Sequence, residues 1–514
     1  MVAHRPGRRV VLGGLGALTV AASALSALSA ASPAAFAAGP TGSTGSTGPG
    51  SPGERQMRGV WIATVGNIDW PSAPGLPAEE AQREFTVLLD RLAALGVNAV
   101  LVQVRPTADA FWPSRLEPWS QWLTGVQGRD PGWDPLAFMV AAAHRRGLAL
   151  HAWFNPYRVT VAGDASTLAA GHPARRHPEW TVGYGDALYY NPGVPAVRAF
   201  VERTVLDAVT RYEIDGVHFD DYFYPYPAGG RDFPDDEAFA AHGAGFTDRA
   251  AWRRHNVDLL IRETRDLVRA ARPDAAFGVS PFGVWRNAAT DPEGSATASF
   301  QSYDGIHADS LGWVRAGLLD YVAPQLYWHL GHPSADYRVL ARWWAARTSG
   351  TDTQLWIGQA AYRAGAAGQD RAWSDPAELS RHLDLAAGLP AIGGDLLFSA
   401  KDVVADRLGA ITRLAADHWH RPALVPLLPR LAGGTPPRRP ALRLDSTGLL
   451  HAEPTDHAFV FALRHHSGPG TPGTLLAVLP AAAPRHRPAT AGGYTVTALD
   501  RAGRESPPSA AVTV

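Results

Sequence analysis

One short stretch, residues 214–225, combines a strand pattern with residue types that can do chemistry. Read with period two, Val217 and Phe219 share one face, whereas His218 and Asp220 share the other. The second face ends in a carboxyl group that aromatic residues follow. A carboxyl group at the end of a strand, beside rings that can stack on a sugar, indicates glycoside chemistry.

Cleavage of a glycosidic bond usually needs one ionised carboxylate, facing the positive transition state, and one protonated carboxyl that donates to the leaving oxygen. Asp220 is predicted to be the ionised group, because its parity points it inward; the alternative is a structural carboxylate that binds the loop. The second carboxyl is predicted to be Asp221 or Glu117. Three further alternatives lie on loops: Asp109, Glu293 and Asp309. If an N-acetyl group of the substrate assists, one acid with an orienting set would suffice, which could be Asp220, Tyr222 and Tyr327.

Eight strand-then-helix units follow one another along the chain. The predicted strands are residues 59–65, 97–104, 148–154, 214–220, 276–280, 321–327, 354–359 and 395–398. The predicted helices are residues 78–95, 134–147, 195–212, 249–271, 309–317, 335–348, 376–387 and 405–417. This alternation predicts a (β/α)8 TIM barrel with enlarged loops. A doubly wound open sheet is the alternative, but no glycine-rich phosphate loop follows the first strand.

Reactive groups of a TIM barrel lie where the strands end, so the polar and aromatic residues there are predicted to bind substrate. Aromatic faces can stack on sugar rings, and amide and guanidinium groups can bind hydroxyls. About half of the aromatic residues are expected to be core instead. The candidates are Arg105, Asp109, Trp112, Trp119, Asn155, Tyr157, His218, Tyr222, Tyr224, Trp285, Asn287, Gln325, Tyr327, Trp328 and Gln359.

A metal site is a weaker hypothesis. His151, His218 and Asp220 lie on strands and could converge, as in metal-dependent barrel hydrolases. The chain lacks the His-x-His pair expected after the first strand, and lone strand histidines are more often buried core or substrate donors. We therefore expect neither a metal nor a cofactor.

The composition and the first residues of the chain exclude some classes of protein and indicate export. A formal net charge of −1 provides no basic field for nucleic acid, and the absence of cysteine excludes disulfides and thiolate chemistry. Residues 1–38 are predicted to be an export signal, since Arg8 and Arg9 precede an apolar run that resembles a twin-arginine signal; an ordinary secretory signal is the alternative. Residues 39–54 are predicted to be a flexible linker, and no later run is long enough to span a membrane.

Three regions are predicted beyond residue 54. Residues 55–418 form the barrel, residues 419–437 a proline-rich linker, and residues 438–514 a small all-β domain. The end of the chain resembles the last strands of a fibronectin type III sandwich, with Tyr494 as its corner tyrosine. Such a sandwich is expected to act as a spacer or as a contact to the wall or to a protein, without catalysis.

Motifs spread over residues 55–415 resemble the glycosyl hydrolase-like 10 family. The matching stretches are residues 58–64, 67–71, 103–110, 117–125, 151–158, 215–224, 280–287 and 323–328. The resemblance implies a (β/α)8 glycoside hydrolase of the bacterial envelope that cleaves peptidoglycan strands stripped of their stem peptides. The competing hypotheses are a glycan-binding barrel that has lost catalysis and a hydrolase acting on another glycan.

Overall fold

The computed structural model describes residues 54–468 and 470–514. The predicted export signal, residues 1–38, and most of the predicted linker after it lie outside the described residues. Within the part of the chain that is described, no helix combines the length and apolar character needed to cross a membrane.

Eight parallel strands close into a barrel, which confirms the predicted architecture. The barrel strands are β1 (Met57–Ile62), β2 (Ala99–Arg105), β3 (Ala149–Phe154), β6 (Gly216–Phe219), β7 (Ala276–Val279), β8 (Tyr321–Val322), β9 (Gln354–Gln359) and β10 (Ile392–Leu397). Neighbours in sequence pair in that order, and β10 pairs with β1 to complete the ring. An antiparallel hairpin that was not predicted, β4 (Thr181–Tyr184) and β5 (Ala187–Tyr190), lies between β3 and β6.

Helices occupy the connections between the strands. They are α1 (Ala78–Ala94), α2 (Gln121–Thr124), α3 (Pro135–His144), α4 (Pro173–Arg176), α5 (Pro195–Arg211), α6 (Asp236–His242), α7 (Arg249–Ala271), α8 (Ser302–Gly305), α9 (Ser310–Arg315), α10 (Tyr337–Thr348), α11 (Glu378–Ala387), α12 (Ala400–Ala405) and α13 (Ala410–His418). Local signals explain several ends: the Asp134 side chain caps α3 at 3.0 Å from the amide of Ala137, and Gly96 has a φ of 85° just beyond α1.

Two predicted elements differ from the observed ones by more than three residues. The sixth barrel strand ends after Val322, because Pro324 has no N–H group with which to continue the ladder, although Gln325 still forms isolated bridges to Phe282 and Gly358. The predicted last helix, residues 405–417, begins only at Ala410 as α13, because Asp406 and Leu408 adopt φ values of 43° and 61°; α12, just before it, was not predicted.

The barrel interior is filled by aromatic and imidazole rings. Trp61 Nε1 donates to His218 Nε2 at 3.1 Å, and the Tyr321 hydroxyl lies 3.0 Å from His218 Nδ1 and 2.9 Å from His151 Nδ1. Tyr321 also stacks on Trp356 at 3.9 Å between ring centroids. Val217 and Phe219 pack instead in the outer core, beneath the helices. As predicted, His218 faces the barrel interior, and Val217 and Phe219 face the helices.

Two sheets follow the barrel. The first has the order β11 (Leu442–Leu444), β12 (Leu450–Ala452), β15 (Arg485–His486), and the second has the order β14 (Thr474–Pro480), β13 (Val460–His466), β16 (Gly493–Leu499), β17 (Val512–Thr513). The Tyr494 hydroxyl donates to the Thr490 carbonyl at 2.6 Å, the bond a corner tyrosine makes. The likeness to fibronectin type III remains a prediction.

The predicted linker, residues 419–437, packs against the amino-terminal end of the barrel. The Leu424 amide donates to the Glu54 carbonyl at 2.8 Å, and Arg430 Nε donates to Asp320 at 2.6 Å. Leu428 is buried in the same cluster as Met57 and the barrel interior. This segment therefore closes the end of the barrel opposite to the strand termini that carry Asp220.

Candidate active site

Two consecutive carboxyl groups, Asp220 and Asp221, lie directly after β6 at the carboxyl end of the barrel. Asn155, after β3, donates from Nδ2 to both Asp220 oxygens at 3.2 Å. Gln325, after β8, donates from Nε2 to Asp221 Oδ1 at 2.9 Å. Because β6 ends at Phe219, strand alternation no longer applies to Asp221, and both carboxyl groups point into the barrel mouth.

The amides that hold the two carboxyl groups are themselves oriented by other bonds. Asn155 Oδ1 accepts from the Arg158 backbone amide at 2.9 Å, which directs Nδ2 to Asp220. Gln325 Nε2 also donates to the Ser280 carbonyl at 3.0 Å, so this atom must be the nitrogen. The second oxygen of Asp221 accepts from the Tyr226 hydroxyl. The pair is thus preorganised by residues that follow β3, β6, β7 and β8.

Burial raises the pKa of both carboxyl groups, and the two environments differ. Burial and then the charge of Asp221 raise the pKa of Asp220 to about 6, against the opposing effects of Arg158 and Asn155. Burial also raises the pKa of Asp221, while its bonds from Tyr226 and Gln325 favour the ionised form. Asp221 therefore tends to carry the charge, and Asp220 tends to retain the proton.

Partly exposed aromatic rings surround the carboxyl pair. The Tyr222 ring lies 5.1 Å from the Arg158 guanidinium carbon, and Tyr327 lies close enough for both carboxylates to raise its pKa, after the larger effect of burial. Trp328 packs edge-on against Phe282 with a 5.4 Å separation of centroids. These rings offer apolar faces on which a sugar could stack. Another candidate, Trp119, is half-buried on the loop after β2.

The structure corrects the roles predicted for Glu117 and Arg105. Both side chains have an exposed fraction of 0%, and Arg105 Nε donates to Glu117 Oε2 at 2.8 Å within a bidentate ion pair. Arg105 also donates to the carbonyls of Asn155 and, at 3.0 Å, Pro156. The guanidinium and the carboxylate of this pair make their hydrogen bonds inside the protein. The pair therefore supports the Asn155 loop and does not contact substrate.

Asp109 is likewise a buried loop residue. It accepts from the Thr107 and Gln121 amides at 3.4 Å and from Gln127 Nε2 at 3.3 Å, and burial raises its pKa to about 7. Among the loop alternatives, Asp309 caps α9 and accepts from Trp285 Nε1 at 2.9 Å, and Glu293 forms a surface ion pair with Arg315. The structure places none of these three as the partner of Asp220.

His218 lies beneath the site and cannot contact substrate as predicted. The indole N–H of Trp61 can only donate, so His218 Nε2 is the acceptor and Nδ1–H must donate to Tyr321. Burial lowers its pKa well below the ordinary value, so the ring is neutral. With both nitrogens engaged, and His151 bonded to the same Tyr321 hydroxyl, the hypothesis of a metal held by these histidines is not supported.

Six further predicted ligands are buried elsewhere and are corrected. Trp112 donates to Asp207 of α5 at 2.7 Å, and Gln359 donates to Tyr337 and Asp395 at 2.9 and 2.8 Å in the layer between strands and helices. The remaining four are Tyr157 and Tyr224, buried in the outer core, Trp285, stacked on Trp343, and Asn287, bonded within its own loop. Loop residues do not alternate between two faces as strand residues do. The sequence therefore could not distinguish these six buried residues from residues that line the mouth of the barrel.

Three residues of the site were missed as ligands. Tyr226 bonds Asp221, Arg158 contributes positive charge near both carboxylates, and the Trp153 indole N–H is buried near Asp220 without another partner among the described residues. Trp153 of β3 has the same inward parity as Asn155 just after the strand, which was a usable signal. The other two follow their strands by several residues, where no parity applies.

A TIM barrel with paired carboxyl groups and aromatic rings at its mouth is the architecture of a glycoside hydrolase. The chain belongs to the glycosyl hydrolase-like 10 family, whose model matches residues 56–375. It is 47% identical over 392 residues to glycosyl hydrolase YngK of Bacillus subtilis strain 168, covering 76% of each chain. It is 42% identical over 362 residues to glycosyl hydrolase DigH of Escherichia coli K12, covering 66% of this chain and 82% of that one.

Solved structures similar to this chain are more distant. The glycoside hydrolase domain of PgaB from Bordetella bronchiseptica has a TM-score of 0.48 at 17% identity, covering 71% of this chain and 99% of that one. The catalytic domain of β-amylase from Paenibacillus polymyxa has a TM-score of 0.45 at 11% identity, covering 71% of this chain and 99% of that one. The protein is a glycoside hydrolase, and its substrate is a carbohydrate.

Proposed function

We propose that this protein is an exported glycoside hydrolase that cleaves bacterial cell-wall glycan, with peptidoglycan strands free of stem peptides as its substrate. The observation that carries the catalytic part is the Asp220–Asp221 pair, in which each carboxyl group has its own set of donors. Family membership and the predicted export signal support the choice of a wall glycan. Localisation to the cell envelope is part of the same proposal.

We assign Asp220 as the general acid and Asp221 as the ionised partner, the reverse of the expectation from sequence. Asp221 accepts from a hydroxyl and an amide that both favour its charged form, and that charge raises the pKa of Asp220. A pKa of about 6 keeps about half of Asp220 protonated at pH 6 and about a tenth at pH 7.

The proposed reaction follows from these roles of Asp220 and Asp221. Asp220 transfers its proton to the glycosidic oxygen as the bond from that oxygen to the anomeric carbon breaks. The Asp221 carboxylate stabilises the positive charge that develops on the departing sugar, either directly or by orienting an N-acetyl group. Water then adds its hydroxyl to the anomeric carbon and returns a proton to the carboxyl pair, which restores the starting state.

The proposal is tested by incubating the protein with two forms of purified peptidoglycan, intact and stripped of peptides by an amidase. Mass spectrometry should detect shorter glycan fragments from the stripped strands and far fewer from the intact wall. Products from a different glycan, with none from stripped strands, would contradict the substrate. Strand binding without products would favour the glycan-binding barrel instead.

Asp220→Asn and Asp221→Asn should each lower the rate of product formation at least about a hundredfold while leaving the fold intact. Asp395→Asn is a matched control, because Asp395 is a buried carboxyl with a raised pKa that lies in the layer between strands and helices. Full activity of both test variants would contradict the role of the pair, whatever the substrate.

A further inference from the structure

Two histidines and an aspartate converge at the catalytic end of the barrel, outside the carboxyl pair. His329 and His332 lie on the loop after β8, and Asp370 lies on the loop after β9. The His329 and His332 Nε2 atoms lie 3.6 and 3.9 Å from Asp370 Oδ2, and one ligand atom from each residue falls within 4.8 Å of the others. None of these residues was predicted from the sequence to bind a ligand.

This set has the chemistry of a transition-metal site. Two imidazole nitrogens and one carboxylate oxygen suit Zn²⁺, whose bonds of about 2.0 Å place tetrahedral ligands about 3.3 Å apart. The two separations from Asp370 exceed that spacing by about 0.3 and 0.6 Å, and all three ligand atoms lie within 4.8 Å of one another, so the side chains must rotate inward to complete the site. Three protein ligands would leave a fourth position for water.

The local backbone prepares the imidazole of His329. His329 Nδ1 lies 2.7 Å from the Leu330 carbonyl, which can only accept, so Nδ1 carries the hydrogen and the Nε2 lone pair is free. The Leu330 amide in turn donates to Glu378 of α11 at 2.8 Å. Gly331, with a φ of 76°, provides the left-handed turn that brings His332 back beside His329. At His332, Nδ1 accepts from the Ser334 amide at 3.4 Å, so the ring hydrogen must move from Nε2 to Nδ1 before Nε2 can bind a metal.

We propose that His329, His332 and Asp370 bind a divalent transition-metal ion of the zinc class, which joins the loop after β8 to the loop after β9. Trp328 directly precedes the first ligand, and its ring lies 6.5 Å from that of His332. The ion would therefore fix the position of Trp328, which lies near the carboxyl pair, and restrain the more exposed loop that carries Asp370. Binding of the ion does not depend on the identity of the glycan.

The test begins with chelator-treated, dialysed protein. Calorimetric titration with ZnCl₂ should show one ion per chain, and Co²⁺ should produce the visible absorption of a tetrahedral N/O site. At zinc concentrations about 100 times the dissociation constant, the melting temperature should rise by about 2–3 °C. Hydrogen exchange should slow on residues 327–336 and 363–375.

His332→Ala and Asp370→Asn should each weaken zinc binding at least tenfold and remove the cobalt spectrum. His177→Ala is the matched control, since His177 forms another surface pair with a carboxylate, at 3.0 Å from Glu179, outside this cluster. Absence of stoichiometric zinc binding by the unaltered protein, or binding that both cluster variants retain, would overturn the proposal. Slower hydrogen exchange on other loops alone would overturn the assignment to these residues.

Discussion

Gln325 donates a hydrogen bond of 2.9 Å to Asp221, joining residues that are 104 positions apart. The bond connects the loop after β8 to the end of β6 and, with the Tyr226 hydroxyl, supplies two donors to one carboxylate. Asp220, one residue earlier, takes its donors from Asn155 on the opposite side. Two adjacent carboxyl groups therefore acquire different proton affinities, which acid–base cleavage requires.

Replacing Asp220 by asparagine should lower kcat by about 10²–10⁴-fold, the usual contribution of a general acid. The fold should persist, because Asn keeps the shape and Asn155 can still bond its amide oxygen. Steady-state rates on stripped glycan strands measure the loss, and a melting curve checks the fold. Activity near that of the Asp395→Asn control would contradict the assignment.

The rate should fall on the alkaline side of the pH profile. Asp220 acts when protonated, so kcat/KM should decrease tenfold per pH unit above its pKa of about 6. Folding raises the pKa of Asp220 to about 6, so stability is lost as the pH rises from about 4 to about 6 and does not recover above that pH. Asp220→Asn should thus melt higher than the unaltered protein at pH 8, and the difference should shrink near pH 4.

Tyr226→Phe removes a donor to Asp221 without changing the ring. The pKa of Asp221 should rise, since its charged form loses a hydrogen bond, and the acid limb of the pH profile should move upward by about one unit. Rates measured from pH 3 to 8 test this. Tyr303→Phe, which alters a ring that contacts Arg254 and Arg286 away from the pair, should leave the acid limb in place.

Glu117→Gln separates a structural role from a catalytic one. Leaving the Arg105 guanidinium without its carboxylate in a buried site should cost about 3 kcal/mol of unfolding free energy, measured by urea denaturation. The kcat of the folded fraction should stay within about threefold of the original value. Glu80→Gln, in an exposed pair with Arg83, should cost less than about 0.5 kcal/mol. A thousandfold fall in kcat with unchanged stability would restore Glu117 as a catalytic candidate.

Leu428→Ala tests whether residues 419–437 are part of the barrel. Leu428 is 6% exposed and packs in the cluster that contains Met57 and Trp356, so its truncation should cost about 2–4 kcal/mol. Leu444→Ala, at a leucine that is 41% exposed, should change stability little. If Leu428→Ala and Leu444→Ala lower the free energy of unfolding in urea by equally small amounts, residues 419–437 are a linker that does not stabilise the barrel.

Local rules were sufficient to predict the barrel from the sequence. Each strand and helix carries its own periodicity and end signals, such as the Asp134 cap and the glycine after α1. The inward direction of Asp220 followed from the alternation along β6, which still holds one residue beyond the end of the strand. The role of the C-terminal sheets and the choice of glycan stay predictions.

Only the tertiary structure decided which strand-end residues meet. Glu117 and Asp221 are equally plausible partners for Asp220 in sequence, yet one is enclosed by Arg105 and the other reaches Gln325. The same holds for the approach of Asp370 to His329. The physical reason is that loop backbones have no repeating geometry, so the direction of their side chains depends on long-range pairing and burial that no local pattern encodes.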